Sequence, residues 1–224
     1  MSLAHATGVI LAKELRTEFR SRELLGTTIV FVLIVIVLFS FTFDPTSSES
    51  RRFGPGLLWL AFLFAGSLML QPSFLREQTN DTLAALRLAP IDPFSILAGK
   101  MAANFLFLLL VEIILLPVFA VLYNTAIFPV LPQLVLVLAL GTIGLATTGT
   151  VFSAVSAQAR LRELLLPLLL LPVLAPVLIA STEATAGILR DPPELPRVWL
   201  TFLVAFDIIF LTAAWLVGEY LLEE

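Results

Sequence analysis

The sequence has no cysteine, a single histidine and few charges, with Lys, Arg, Asp and Glu making up 13% of its 224 residues. Without cysteine there are no disulfides, no thiolate metal sites, no covalent haem attachment through C-x-x-C-H and no cysteine nucleophile. The lone histidine, His5, lies near a terminus expected to fray, where an imidazole is a poor haem ligand or general base. A net charge of −4 with no clustered Lys/Arg face argues against nucleic acid as a partner.

Apolar residues take the place of the missing charges. They reach 59% of the chain, and the mean hydropathy is +1.02. A soluble domain spends about a quarter of its residues on charge. Runs fall at 24–43, 57–75, 94–123, 131–157, 163–181 and 198–221. A helix needs about 20 apolar residues to cross the hydrocarbon, so the chain reads as an all-α polytopic membrane protein with about six transmembrane helices in one permease domain spanning 1–224.

Residues 1–22 carry charge too often to span. Leu11, Leu15 and Phe19 recur every four residues while Lys13, Arg16 and Arg20 take another face, the pattern of an N-terminal interfacial helix. A plain cytoplasmic extension of the first span is the alternative. That first span is long and lacks a small-residue cleavage site, so it is expected to be retained, not removed as a signal peptide.

Basic residues near span ends stay in the cytoplasm. With the N-terminus inside, inner segments hold Lys13, Arg16, Arg20, Arg22, Arg76, Arg87, Lys100, Arg160 and Arg162, and outer loops hold Arg51, Arg52, Arg190 and Arg197. This count predicts both termini in the cytoplasm. Trp59, Trp199 and Tyr123 fall near span ends and are expected to anchor in the interface. Met69 and Met101 are expected to serve packing.

Three features of the spans carry further expectations. In the fourth, Gly141, Gly144, Thr147, Thr148, Gly149 and Thr150 form a surface suited to close helix contact. Pro167, Pro172 and Pro176 are expected to kink or break the fifth, with Pro172 to Gly187 packed inside near the outer face and short re-entrant helices as one form it can take. Two acids lie within spans. Glu112 is twelve residues past Lys100, about 18 Å along a helix, and Asp207 is about ten residues into the last span. Such acids are neutral, paired or facing a polar cavity; interhelical hydrogen bonds and contact with a partner or substrate both remain open.

Nucleotide-binding machinery is absent. Gly99-Lys100 is no phosphate loop, because Phe94 and Met101 stand where that motif needs Gly and Ser or Thr. Asn80-Asp81-Thr82 matches a glycosylation acceptor but falls on the predicted cytoplasmic side. The informative stretch is Arg76 to Pro93. Asn80 or Asp81 can cap a short helix, Thr82 to Leu88 can continue it, and Pro90 stops it. Asp92-Pro93 then restarts the chain as N-cap and first helical residue. Leu83, Leu86 and Leu88 can dock in a partner's groove, or the helix can rest on headgroups.

Several strings, in order, resemble the haem exporter protein B family (CcmB), the permease of the cytochrome c maturation system. They are Glu14-Leu15-Arg16 with Phe19-Arg20, Pro55-Gly56-Leu57-Leu58-Trp59, and Phe74, Glu77, Asn80-Asp81, Leu83, Leu86, Leu88-Ala89-Pro90, Asp92, Gly99-Lys100, Asn104 and Glu112. Leu140-Gly141-Thr142, Leu171-Pro172, Pro176 to Ile179, Phe206-Asp207 and Glu219 to Glu224 continue the resemblance. It implies an ABC-2-type permease bundle without catalytic, cofactor-binding or metal-binding residues, in a bacterial inner membrane. It also implies a separate ABC ATPase that binds ATP, a haem-handling membrane subunit that holds haem, a small membrane subunit and a periplasmic haem chaperone. Lipid surrounds the bundle, and a homodimer is one arrangement left open. In this frame Glu77, Asn80, Asp81, Leu83, Leu86 and Leu88 couple to the ATPase, while Glu112 and Asp207 are intramembrane polar residues. Two other readings are a permease exporting lipid, drug or polysaccharide through its own pathway, and a non-transport scaffold or intramembrane enzyme, which would need Glu112 and Asp207 to converge in a water-filled pocket.

Overall fold

A computed structural model describes residues 2–42, 48–79, 91–157, 162–190 and 192–223. Among them the chain forms α1 (Leu3–Ser21), α2 (Glu23–Thr42), α3 (Ser48–Leu70), α4 (Pro72–Thr79), α5 (Pro93–Leu122), α6 (Leu131–Ala157), α7 (Arg162–Ile188) and α8 (Arg197–Glu223), with no strand. Six stretches are long and apolar enough to cross a membrane: Glu23–Thr42, Arg52–Leu75, Pro93–Leu122, Phe128–Ala157, Leu169–Ile188 and Arg197–Gly218. This is the all-α polytopic membrane protein that the apolar runs predict. Helix α1 is not among the spans.

The boundary between α1 and α2 is a single residue. Arg22 takes the left-handed conformation at φ 56°, and its N–H bonds the Glu18 carbonyl. That closes α1 as a left-handed C-cap does. The Glu18 carboxylate then accepts from the Leu25 N–H at 2.9 Å, filling one of the orphan donors of the first turn of α2. One residue, Glu18, thus closes one helix with its carbonyl and starts the next with its side chain.

The start of α5 follows the sequence reading. The Asp92 side chain accepts from the Phe94 N–H at 2.8 Å, and Pro93 takes the first turn, where no donor is needed.

Helix α6 is the axle of the bundle, packing against α3, α4, α5, α7 and α8. In lipid, apolar burial does not drive helices together, and close van der Waals approach does much of the work. Its small residues permit that approach. A Cβ at Gly141 would stand 2.2 Å from Trp59 Cη2, one at Gly149 2.2 Å from Leu70 Cδ1, and one at Gly144 3.2 Å from Asp207 Oδ1. Thr147, Thr148 and Thr150 are buried with them, as their composition predicts.

Two expectations are corrected. Of the kink or break expected in the fifth span, the break and the re-entrant pieces are absent: α7 runs as one helix from Arg162 to Ile188, through all three prolines. Pro172 and Pro176 lie on its exposed side, while Leu174, Val177, Ala180, Ser181, Ala184 and Thr185 are buried along the other. Packing of that inner stripe against α3, α6 and α8 holds the helix together despite the lost backbone bonds. Trp59 and Tyr123 are core residues, not interface anchors. Trp59 is 1% exposed, donates its indole N–H to Thr185 Oγ1 at 2.9 Å and meets Phe62 edge-on; Tyr123 is buried and stacked on Phe119. Trp199 packs only partly buried at the start of α8, and Met69 and Met101 are buried packing residues.

Candidate functional site at the base of the coupling segment

The proposed ATPase-coupling residues divide between helix and undescribed chain. Glu77 falls on α4, whereas Asn80, Asp81, Leu83, Leu86 and Leu88 lie outside the described residues, as does the short helix expected at Thr82 to Leu88. The structure defines what flanks that segment on both sides: α4 leads into it, and Asp92 leads out of it into α5.

Between these flanks sits a buried charge. Lys100, on the second turn of α5, is 1% exposed. Its ammonium donates to Glu14 Oε1 of α1 at 2.9 Å and to the Ser73 carbonyl of α4, and lies 4.9 Å from the centre of the Phe74 ring. One turn further along α5, the Asn104 amide donates to Ser73 Oγ at 3.2 Å and to Thr150 Oγ1 of α6 at 2.8 Å. Four helices are therefore tied by polar contacts within two turns of α5. A buried ammonium is tolerated only when paired and hydrogen-bonded, and this carboxylate and carbonyl contribute those bonds, with the Phe74 ring adding a cation–π contact.

Helix α1 approaches α5 closely enough to make that pair. A Cβ at Gly99 would sit 2.6 Å from Ile10 Cβ and 3.0 Å from the Thr7 carbonyl oxygen, so only glycine lets the two backbones come so near. Phe19 then meets Phe107 edge-on, with ring centroids 6.3 Å apart. Burial pushes the Glu14 carboxyl up, but the Lys100 ammonium and its hydrogen bond, with Lys13 adding at 3.1 Å, outweigh this and hold it below the ordinary value.

The face that α1 presses against the bundle differs from the expected one. Ala6, Ile10 and Glu18 are buried on it and Glu14 is half-buried, whereas Phe19 is 54% exposed. Leu11 and Leu15 pack at its margin. An apolar stripe read by periodicity passes over Glu14 and Glu18 because they are acids. Their burial depends on Lys100, 86 residues from Glu14 in sequence, and on the Leu25 N–H, neither of which a helical period reports.

The two intramembrane acids are both buried but are not brought together. Glu112 Oε1 accepts from the Thr142 hydroxyl, and Oε2 has no partner among the described residues. Asp207 faces Gly144, with neither oxygen partnered among the described residues. Thr142 and Gly144 are two residues apart, about 200° around a helix with 3.6 residues per turn. The acids thus approach α6 from different flanks, which removes the converging pair that an intramembrane enzyme would require.

At the other end of the bundle a cavity of about 750 Å³ is lined by Arg52, Asn124, Thr125, Glu183 and Arg190, among others. Among the described residues no cluster of three or more His, Cys, Asp or Glu is placed to hold a metal ion.

Comparison with known proteins agrees along nearly the whole length. The family model described as CcmB protein matches residues 5–217. Heme exporter protein B of Pseudomonas aeruginosa is 32% identical over 204 residues, covering 91% of each chain. That of Paracoccus denitrificans is 32% identical over 205 residues, covering 92% of this chain and 93% of its own. That of Rhodobacter capsulatus is 33% identical over 174 residues, covering 78% of this chain and 79% of its own. A bundle of six membrane-competent helices, with its small-residue axle and its match to the family over residues 5–217, places the chain: it belongs to the CcmB protein family.

Proposed function

We propose that the chain is the non-catalytic permease subunit of an ABC transporter complex for cytochrome c maturation, in a bacterial inner membrane with both termini cytoplasmic. A partner ATPase binds and hydrolyses ATP, and the permease passes the resulting motion to haem delivery or to release of a haem-loaded periplasmic chaperone. Haem itself is held by a partner membrane subunit, and a small membrane subunit completes the assembly. The relatives' shared name, heme exporter protein B, supports the transport role. The observation that carries the mechanical part is Lys100: a buried cation beside the coupling segment contacts α1 and α4 from its place on α5, so load applied at α4 does not stay in α4.

The test is to substitute Leu83→Asp together with Leu86→Asp and purify the complex. The expected result is loss of the ATPase from the preparation, with the six-span protein still inserted. Retention of the ATPase at the unmodified level overturns the docking role.

A second reading, an ABC-2-type exporter for a lipid, drug or polysaccharide, draws on the 750 Å³ cavity lined by Arg52 and Arg190. ATPase activity stimulated by such a substrate without the haem subunits would select it.

A further inference from the structure

Glu14 and Lys100 lie at the one place where the N-terminal helix, the root of the coupling segment and the long third span meet. Lys100 distributes its bonds over separate helices: one to the Glu14 carboxylate on α1, another to the Ser73 carbonyl on α4. A shift of α4 relative to α5 or α1 must stretch at least one of these bonds, and an ammonium only 1% exposed loses a partner at a higher cost than a solvated one. Ile10 against Gly99 and Phe19 against Phe107 lock α1 to α5 on either side of the ion pair.

Resting on the permease reading above, we propose that Glu14 and Lys100 are a positioning pair that fastens α1 to the coupling apparatus, so that α1, α4 and the first two turns of α5 move as one body when the ATPase closes. The N-terminal helix is then part of the lever. Because α1 joins α2 through the single residue Arg22, with Glu18 capping the next helix, the same motion reaches α2 without passing through the core. An amphipathic helix that merely rested on headgroups would have no need of a buried charge on its inner face. Apolar packing would hold it with fewer demands on geometry; the ion pair adds a fixed register between α1 and α5 that packing alone does not specify.

A structural role and a positioning role make different demands on the pair. Replacing a buried ion pair by well-packed apolar side chains of similar volume is commonly neutral for folding, whereas removing one partner strands a charge. The decisive variant is therefore Glu14→Met combined with Lys100→Met, studied in the intact complex. Since the chain has no cysteine, Phe19→Cys and Phe107→Cys can be added to report the α1 to α5 contact by disulfide formation. In the otherwise unmodified chain the disulfide should form equally in nucleotide-free and ATP-trapped complexes. In the double-Met variant it should fall in the ATP-trapped state, and holo-cytochrome c per ATP hydrolysed should drop about tenfold, while insertion and ATPase co-purification stay unchanged.

The single variant Lys100→Met separates the two losses: it should lower abundance as well as coupling, because Glu14 is left without its main counter-charge. Unchanged coupling and an unchanged disulfide pattern in the double-Met variant would overturn the proposal, leaving the pair a structural tie. Absence of the ATPase from preparations of the unmodified chain would overturn the permease reading instead.

Discussion

Trp59 lies over Gly141 with its indole N–H bonded to Thr185, so that one side chain of α3 fills the space between α6 and α7. The indole is admitted by the absence of a methyl group at Gly141 and held through its N–H by a hydroxyl. Gly141→Ala would place a carbon 2.2 Å from the ring, and overpacking of this kind costs about 1–3 kcal/mol. Gly8, exposed on α1 with nothing within 4 Å of its added Cβ, is the control: Gly8→Ala should be neutral or stabilise by about 0.5–1 kcal/mol. Denaturant titration of the purified protein in mixed micelles measures both, and equal stability of the two variants would contradict the packing account.

The Glu112 to Thr142 bond joins α5 to α6 across the membrane interior. Thr142→Val should cost about 0.6 kcal/mol, the average for interhelical hydrogen bonds in lipid, and at most about 1.7 kcal/mol. In a Glu112→Leu background the same substitution should cost close to nothing. A double-mutant cycle reads the difference, and a coupling energy near zero would show that the two side chains act independently.

Acid should loosen the N-terminal helix. The folded-state carboxyl of Glu14 is held below its ordinary value, so the stability it contributes is fully present above that value and is lost as pH falls from it through the depressed folded one. Thermal unfolding of the purified complex should therefore show a stability loss confined to the acidic side, below about pH 4.5. In Glu14→Gln that step should be missing. A step of the same size in the variant would assign the acid sensitivity to other groups.

Membrane orientation can be read directly in a chain without cysteine. A thiol at Ala126, in the short connection between α5 and α6, should react with an impermeant maleimide applied from outside spheroplasts. A thiol at His5, exposed on α1, should react only after the membrane is opened. The reverse pattern would place the coupling segment on the wrong side for an ATPase.

What was legible in the sequence follows from the range of each signal. Spans declare themselves because lipid imposes a length and a composition on every residue of a run, and the start of α5 does so because Asp92 and Pro93 act within their own turn. The glycine and threonine surface of α6 was readable for the same reason: small size is a property of the residue, whatever packs on it. Trp59 departs from its expectation because a position near the end of an apolar run is not a position at the membrane surface. The span begins at Arg52, which leaves Trp59 about 10 Å inside at 1.5 Å per residue. The prolines of α7 misled because their local cost is visible in sequence, while the inner stripe from Leu174 to Thr185 that compensates it appears only when its neighbours are placed. Lys100 reads in sequence as an inner-side basic residue and no part of a phosphate loop; its role depends on Glu14 and Ser73, which no spacing rule connects to it.

Glu18 carries a consequence for anyone shortening this protein. Its carboxylate is the lid on the first turn of α2, and its own carbonyl holds the left-handed Arg22 between the two helices. Trimming the chain back to the first span would strip that lid and leave bare amides at the entrance to the bilayer. Extensions added ahead of Leu3 touch neither element, so tags belong there and deletions do not.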